Sequence, residues 1–459
     1  MERKMRRYQI LIFIFSIIGA LALISAIFPK EGLAIGPLDM RFATLEEVLA
    51  PEEADEERLS PEELLERRKQ AVLAAEADAF EDYFTNDPAR FYLPEGNVSF
   101  FDGLFEALEG ADTSAVRIVH YGDSQIEEDR ITSVIRDSLQ KRFGGDGQGY
   151  MPARTHYTSS IGTASDAELE RFMVYATKAE HSAYGPYGDF VQLDTTLTLS
   201  YYQVRKKERG QALFNKLTVL AGNVGDAGLK ISSRGTTREY KAGDDYVRAV
   251  FNLPDSSSRV SLTLSGDADI YGVLMDNSCG VSMDNVAMRG CSGLVFTQMS
   301  SAQLRRFYKD ENVRLIMLQY GGNSVPYTKT SKAISSYCSS LRRQIAYLQK
   351  LAPEAKIIFI GPSDMSTSIK GKRQTYPILP EMIDSLKSTA TSSGAAYWDI
   401  YGAMGGENSM VDWVNANPSL AGSDYVHFTP RGSVRIGEMF YDSFKLYYDY
   451  YLWRKKNEE

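Results

Sequence analysis

Cysteine and histidine are both scarce, since this chain of 459 residues contains three cysteines and four histidines. Three cysteines are too few for a disulfide framework, although Cys279 and Cys291 are near enough in sequence to pair in an oxidising compartment, with Cys338 left over. Without a CxxC pair or a Cys/His cluster, the sequence predicts no structural zinc site and no other metal centre. Four residues are available for a reaction that needs histidine: His120, His156, His181 and His427.

The chain also lacks an excess of positive charge. Its net charge is −9, so the sequence predicts no nucleic-acid partner. The charged fraction of 24% and the aromatic fraction of 11% are ordinary for a globular protein, and the length allows two or three domains. Acidic residues are concentrated between positions 45 and 82, which indicates a solvated segment rather than a functional domain.

A single long apolar run is present, at the N-terminus. Ile10–Phe28 contains no charged residue and follows a basic start that includes Arg3, Lys4, Arg6 and Arg7. At ~1.5 Å per residue a helix of this length nearly covers a bilayer core of ~30 Å. The positive-inside rule then places the rest of the chain outside the cytoplasm. We predict an uncleaved signal anchor over residues 1–28, with a cleaved signal peptide as the alternative.

The remaining chain divides by its residue patterns into a spacer, an α/β domain and an insert. Residues 29–97 are acidic and helix-rich, with Ser60 as a helix N-cap and Pro61 at the first helical position, which predicts a helical spacer. Residues 98–155 and 269–459 carry apolar strands and helical stretches, typical of a parallel sheet flanked by helices. Residues 156–268 contain short alternating runs separated by turns, which predict an inserted antiparallel β-sandwich.

Three short motifs in the α/β parts carry residues suited to nucleophilic catalysis. Gly122-Asp-Ser124 lies where an apolar strand gives way to a helix, so Ser124 is expected at the carboxyl edge of the sheet. Asp424 precedes His427 by three residues, a spacing at which the acid can orient an imidazole toward a serine. Asn323 follows a third predicted strand, where its amide would be able to donate to an oxyanion. Taken singly, each motif is also compatible with an ordinary turn or helix cap.

Together these motifs resemble the SGNH (GDSL-like) hydrolase superfamily. Its four sequence blocks carry the nucleophilic serine, an oxyanion-hole glycine, an oxyanion-hole asparagine and an Asp-x-x-His pair, and the first, third and fourth appear here in the same order. For the second block the resemblance selects Gly290, in a small-residue loop after a strand predicted over Tyr271–Met275. The third block departs from the family pattern, because Ser324 replaces an aspartate, but it keeps Asn323.

The resemblance implies a three-layer α/β domain that hydrolyses esters with Ser124, His427 and Asp424. His427, oriented by Asp424, would take the proton from Ser124 as the serine attacks the acyl carbonyl. The N–H groups of Ser124 and Gly290 and the side-chain amide of Asn323 would stabilise the oxyanion. This chemistry needs no cofactor.

The long separation between Ser124 and Gly290, filled by the predicted sandwich, is similar to that of the peptidoglycan O-acetylesterases of the Gram-negative envelope. Their inserted module resembles a carbohydrate-binding domain, which implies an O-acetylated glycan as substrate. With the predicted anchor, the expected location is the bacterial inner membrane, with the catalytic domain in the periplasm. Four tyrosines in or near the insert are candidates for stacking on sugar rings, with packing inside the sandwich as the alternative: Tyr184, Tyr187, Tyr201 and Tyr202.

Two other functions fit the same motifs. One is an O-acetyltransferase that passes an acyl group to a cell-surface glycan, and the other is a glycan-binding envelope protein without catalysis. The intact triad favours catalysis over the second. Ser363 and Asp364 follow a predicted strand and are candidates for a wall of the substrate groove, whereas His120 is expected to be structural. The sequence leaves the oligomeric state open.

Overall fold

The computed structural model describes residues 16–17, 19–20, 23–24, 26–27, 33–35, 38–40, 75–155, 161–179, 183–203 and 213–457. The chain divides into two compact units, Met1–Glu76 and Ala77–Glu459. In the first unit, Leu33–Ile35 and Leu38–Met40 form an antiparallel pair of strands. Within the described residues, no helix is long and apolar enough to cross a membrane. Much of the predicted anchor, and the predicted N-cap Ser60, lie outside the described residues.

A six-stranded sheet forms the centre of the α/β part of the second unit. Its first five strands are parallel and the last is an antiparallel edge strand. Two of the parallel strands are buried along their whole length and the other three at all but one residue, as expected where helices cover both faces of a sheet. In spatial order, the strands are Val281–Ala287, Val116–Gly122, Val313–Gln319, Lys356–Ile360, Ala396–Trp398 and Phe91–Tyr92.

Helices cover both faces of this sheet and give it three layers. Neighbouring residues of one strand face opposite layers, so Ile118 packs into one hydrophobic cluster and Val119 into the other. The mixed α/β architecture is therefore the one expected for an SGNH-like domain. The helices are residues 75–86, Asp102–Glu109, Thr132–Phe143, Ser301–Asp310, Ser331–Leu351, Leu379–Ser392, Ile400–Met404, Ser409–Asn415 and Pro430–Asn457.

The strand before Gly290 differs from the prediction. Tyr271–Met275 lies within Ala268–Asp276, which is a strand of the β-sandwich and not of the α/β sheet. The strand that leads to Gly290 is Val281–Ala287, which is parallel to the strand ending at Gly122. Its buried polar residues interrupt the apolar pattern by which strands of this kind are recognised.

The α/β domain begins earlier than residue 98, the predicted end of the spacer. Tyr92 pairs with Tyr397 in the edge strand of the sheet. In the preceding helix, Phe84 packs on Tyr447 with ring centroids 4.5 Å apart. Residues 77–97 therefore belong to the compact unit, because aromatic packing against the C-terminal helix holds them there.

The inserted domain is a sandwich of two antiparallel sheets around its own apolar core. One sheet contains Gly149–Met151, Arg171–Met173, Asp189–Leu193, Phe214–Gly222, Val247–Ser257 and Ala268–Asp276. The other contains Ile161–Ser165, Thr196–Gln203, Leu229–Ser233, Thr236–Tyr240 and Arg259–Gly266. Its strands thus extend from Gly149 to Asp276, a few residues beyond each end of the predicted range.

Buried ion pairs join the sandwich to the α/β sheet. Arg117, on the strand that leads to Ser124, forms ion pairs with Asp276 of the sandwich and with Asp284 and Glu311 of the α/β part. All four side chains are buried. Removing the arginine would leave several carboxylates without a counter-charge, so this cluster fixes how the two domains meet.

Candidate active site

Ser124 lies on a tight turn at the end of a central strand. Gly122 ends the strand, and a Cβ at this position would lie 2.9 Å from the end of the Ile126 side chain, which would have to shift to admit a larger residue. Asp123 caps the following 3-10 turn, since its Oδ1 accepts a hydrogen bond from Gln125 N over 3.0 Å. The serine is consequently presented at the carboxyl edge of the sheet, where α/β proteins place their sites.

The loop that carries His427 is organised by a single carboxylate. Asp424 Oδ1 accepts hydrogen bonds from Val426 N at 3.0 Å and from His427 N at 3.1 Å. Its Oδ2 accepts from His427 Nδ1 at 2.7 Å. Partial burial raises the pKa of Asp424, but these hydrogen bonds outweigh it and hold the pKa below its ordinary value. Asp424 therefore stays ionised while it orients the imidazole.

The structure brings Ser124, His427 and Asp424 together. Ser124 Oγ lies 2.9 Å from His427 Nε2, although the two residues are 303 positions apart in the chain. Because the hydrogen bond to Asp424 places a proton on Nδ1, Nε2 is left to accept the hydroxyl proton of the serine. This arrangement is able to activate the serine as a nucleophile.

Gln125, to which the sequence analysis gives no role, ties the serine turn to the histidine loop. Its Nε2 donates to Val426 O at 2.7 Å, and its Oε1 accepts from Phe428 N at 3.4 Å. The two contacts are with the residues on either side of His427. Because Gln125 directly follows Ser124, one side chain sets the position of the imidazole relative to the nucleophile. Its place in the Gly-Asp-Ser-Gln stretch is the only signal in the sequence that points to it.

The predicted oxyanion-hole residues lie around the same cleft as Ser124. The backbone N–H groups of Ser124 and Gly290 have no acceptor among the described residues. Asn323 differs, because its Nδ2 donates to Asp123 Oδ2 and to Cys291 O, each at 3.1 Å. Both hydrogens of this amide are therefore engaged, and donating to an oxyanion would require it to exchange one of these partners.

Asp123 is a buried acid next to the nucleophile. Burial raises its pKa from 3.8 to about 6, against the hydrogen bond from Gln125 N and the attraction of His427, which lower it. Since Asp123 Oδ2 receives one hydrogen of Asn323, the protonation state of the acid is coupled to the orientation of the amide.

The cleft in front of Ser124 has a volume of about 490 Å³. Arg289 and Glu127 line it and form a bidentate ion pair, in which Arg289 Nε donates to Glu127 Oε1 at 2.7 Å. Arg130 also lines the cleft and donates to Glu127 O at 2.9 Å. Tyr327 contributes an exposed aromatic ring to the lining of the same cleft. The cleft therefore offers both polar and aromatic surface beside the serine.

The two candidates for a groove wall differ in their surroundings. Ser363 lines the cleft. Asp364 is buried away from it, and its oxygens accept hydrogen bonds from Met365 N, Thr375 Oγ1 and Met410 N. Asp364 therefore holds the backbone behind the cleft and does not itself form its wall.

Of the remaining histidines, the structure describes only His120, which does not line the cleft. His120 is buried between Thr132 and Gln319, and burial lowers its pKa to about 4, so it is a neutral structural residue. His156 and His181 lie outside the described residues. All three cysteines are free thiols, so the disulfide considered for Cys279 and Cys291 is absent.

The candidate sugar-stacking tyrosines of the insert are mostly interior residues. Tyr184, Tyr187 and Tyr201 are buried, in agreement with the packing alternative. Tyr187 stacks on Tyr150 with ring centroids 3.6 Å apart and donates to Asp284 Oδ2 at 2.7 Å. Only Tyr202 of the four is exposed, at 37% of its surface.

No protein-family profile and no curated protein matches this chain. Among solved structures, a peptidoglycan O-acetylesterase is similar to it, with a TM-score of 0.63 and 19% identity over 77% of this chain and 97% of that one. A family two carbohydrate esterase from Cellvibrio japonicus matches with a TM-score of 0.26 and 11% identity, over 64% of this chain and 99% of that one. An acetyl xylan esterase matches with a TM-score of 0.26 and 14% identity, over 36% and 81%. The first of these similarities shows a shared fold, in agreement with the resemblance to SGNH hydrolases that the motifs indicate.

Proposed function

We propose that this chain is a serine esterase that removes O-acetyl groups from an envelope polysaccharide, with peptidoglycan as its substrate. The observation that carries the proposal is the continuous hydrogen-bonded series from Ser124 through His427 to Asp424, with distances of 2.9 and 2.7 Å. A solved peptidoglycan O-acetylesterase shares the fold over most of both chains, which supports the choice of substrate.

In the proposed reaction, Ser124 Oγ attacks the acetyl carbonyl while its proton passes to His427 Nε2. The N–H groups of Ser124 and Gly290 stabilise the oxyanion, joined by Asn323 if its amide leaves one of its present acceptors. The imidazolium then gives its proton to the departing sugar hydroxyl, which leaves an acetyl-serine. Water, activated by His427, releases acetate and restores the enzyme.

For the location, we propose that the predicted anchor holds the chain in the inner membrane of a bacterium with Ser124 facing the periplasm. The support is the basic cluster that precedes the apolar run in the sequence. A polymeric envelope substrate also suits an enzyme that does not diffuse away from the cell surface. Protease protection in spheroplasts would test this topology, since a periplasmic domain is digested from outside.

The direct test is acetate release from O-acetylated peptidoglycan by the full-length protein, compared with Ser124→Ala. The proposal expects release by the wild type and none by the variant. A folded wild type whose serine reacts with a fluorophosphonate probe, but which releases no acetate from this polymer, would contradict peptidoglycan as substrate. Absence of probe labelling would contradict the esterase itself, because only an activated serine reacts.

The same assay separates hydrolysis from transfer. Adding an acceptor oligosaccharide and following labelled acetate shows whether the acyl group goes to water or to sugar. A hydrolase leaves the label in free acetate at every acceptor concentration. Transfer that rises with acceptor would instead support the O-acetyltransferase considered in the sequence analysis.

A further inference from the structure

Tyr327 is the most exposed of the large apolar side chains in the described residues, at 84% of its surface. Its ring has no aromatic partner among the described residues, and its hydroxyl bonds to none of them. Single exposed aromatics are common on protein surfaces. What distinguishes this one is that it lines the cleft that contains Ser124 and His427.

The backbone that carries Tyr327 is firmly held. Tyr327 is the last residue of the 3-10 turn Gly322–Tyr327, which also contains Asn323. Thr328 N and Thr328 Oγ1 both donate to Ser324 O, at 3.0 and 2.8 Å, and Val325 is fully buried beneath the turn. Because the turn already fixes the backbone of Tyr327, little backbone freedom is lost when a ligand packs on its exposed ring.

Polar groups for a ligand lie in the same cleft. The side chain of Arg289 is 75% exposed, yet its Nε and Nη2 are held by Glu127, which is buried. Among the described residues, none accepts from Arg289 Nη1. The guanidinium is thereby oriented, its charge is balanced by its partner, and one nitrogen remains to donate to an uncharged acceptor such as a sugar hydroxyl.

We propose that Tyr327 is the platform of a sugar subsite, on which a pyranose ring of the glycan packs while Arg289 donates to its oxygens. This inference rests on the proposed function and deepens it. The C–H face of a pyranose is apolar and its edge is polar, so it suits a cleft lined by both an aromatic face and a hydrogen-bond donor. Sugar stacking is thus assigned to the α/β domain, beside the nucleophile, and not to the tyrosines of the insert.

The first test compares Tyr327→Ala and Tyr327→Phe on two substrates, O-acetylated glycan strands and p-nitrophenyl acetate. For Tyr327→Ala, loss of the ring is expected to raise KM for the glycan roughly five- to thirtyfold with kcat retained, because aromatic residues are among those whose truncation weakens binding most. The kcat/KM for p-nitrophenyl acetate, which has no sugar, is expected to fall much less than that for the glycan. Tyr327→Phe keeps the ring and is expected to behave as wild type. Tyr202→Ala, on the sandwich, is the matched control and is expected to leave both substrates unaffected.

Three kinetic results would overturn the subsite. One is a Tyr327→Ala variant with wild-type KM for the glycan. Another is equal loss on both substrates, which would indicate that the residue only shapes the turn. The third is a Tyr327→Phe variant as weak as the alanine, which would assign the effect to the hydroxyl group.

The second test measures binding and does not depend on turnover. In the Ser124→Ala background, calorimetry with soluble O-acetylated glycan strands is expected to show Kd raised by the same factor when Tyr327 is also replaced by alanine. An unchanged Kd would overturn the subsite. If the wild type proves to have no esterase activity, a raised Kd still supports the subsite, so the two proposals fail separately.

Discussion

Asn323 Nδ2 donates a hydrogen bond of 3.1 Å to Asp123 Oδ2. The bond joins the turn that follows a central strand to the residue before the nucleophile. Asp123 is buried, so this bond lies in a region where an unpaired charge is costly. The bond fixes the amide before any substrate arrives, but it also occupies one of its two hydrogens. The buried acid therefore influences how readily Asn323 can turn toward an oxyanion.

In the Asp123→Asn variant, the free energy of unfolding is expected to depend less on pH than in the wild type. Burial raises the pKa of Asp123 from 3.8 to about 6, so the folded state holds this proton more tightly than the unfolded state. Its stabilising contribution is complete below about pH 4 and is lost as pH rises through about 6. At 1.36 kcal/mol per pKa unit, the free energy of unfolding lost in this way is roughly 3 kcal/mol.

Urea unfolding between pH 4 and pH 7 measures this effect. Wild type is expected to lose more free energy of unfolding across this window than Asp123→Asn, because the asparagine does not titrate. Asp384→Asn, at an exposed carboxylate, serves as the control and is expected to follow the wild type. Parallel curves for wild type and Asp123→Asn would contradict the raised pKa.

Gln125→Ala is expected to lower kcat for p-nitrophenyl acetate about ten- to a hundredfold with little change in KM. The two hydrogen bonds of Gln125 to the neighbours of His427 set the distance from the imidazole to Ser124, and small displacements of reacting groups have effects of this size. Steady-state kinetics beside Gln192→Ala, an exposed glutamine of the sandwich, would check the effect. A Gln125→Ala variant with wild-type kcat would show that other contacts position the histidine.

The residues that could be predicted from the sequence are those that a few neighbouring positions are enough to identify. Ser124, Asp424 and His427 are recognisable because each lies in a short motif at the end of a strand or in a loop. The structure places His427 within hydrogen-bonding distance of both Ser124 and Asp424. The parallel strands Val313–Gln319 and Lys356–Ile360 are recognisable as well, because each contains four consecutive apolar residues, which indicates burial on both faces.

Other features depend on contacts between distant residues. The strand Val281–Ala287 contains Asp284 and Asn285, whose polarity conceals it, and only the structure shows that Arg117 and Thr132 satisfy them. The four tyrosines in or near the insert are ambiguous for a similar reason, because neighbouring residues in the sequence do not distinguish a buried tyrosine from a sugar-binding one. Tyr327 gives no signal in the sequence, since it follows a motif without belonging to it.

Asp424→Asn is expected to reduce kcat by a factor on the order of 10³ to 10⁴, with only a small change in stability. The asparagine Oδ1 can still accept from the backbone of the loop, but its Nδ2 would face His427 Nδ1. The imidazole must then carry its proton on Nε2, where it can no longer accept from Ser124. Because the carboxylate is half-exposed, loss of its charge costs little folding free energy.

Kinetics on p-nitrophenyl acetate and thermal unfolding together check this expectation. Asp226→Asn, in an exposed turn, provides the matched control for loss of a negative charge. A decrease in kcat of less than tenfold, with Asp424→Asn normally folded, would show that the carboxylate does not set the tautomer of His427.

Arg117→Met is expected to destabilise the protein by about 3–5 kcal/mol at pH 7. The substitution keeps much of the side-chain volume but leaves Asp276 and Asp284 buried without their counter-charge, and leaves Glu311 with Arg248 alone. Burial already raises the pKa of Asp284 to about 6, and without the guanidinium it would rise further. The variant is therefore expected to recover part of its stability as pH falls toward 4, because the carboxylates can then fold in their neutral form.

Urea unfolding at pH 7 and pH 4, with Lys230→Met beside it, separates this cluster from an ordinary ion pair. Lys230 and Glu239 form an exposed pair at 2.8 Å, with side chains 54% and 66% exposed, and breaking it is expected to cost less than about 1 kcal/mol. A loss of similar size for the two variants would contradict a structural role for Arg117. A large loss that does not narrow at low pH would assign the effect to packing between the sandwich and the sheet, since repulsion among the carboxylates must weaken as they become protonated.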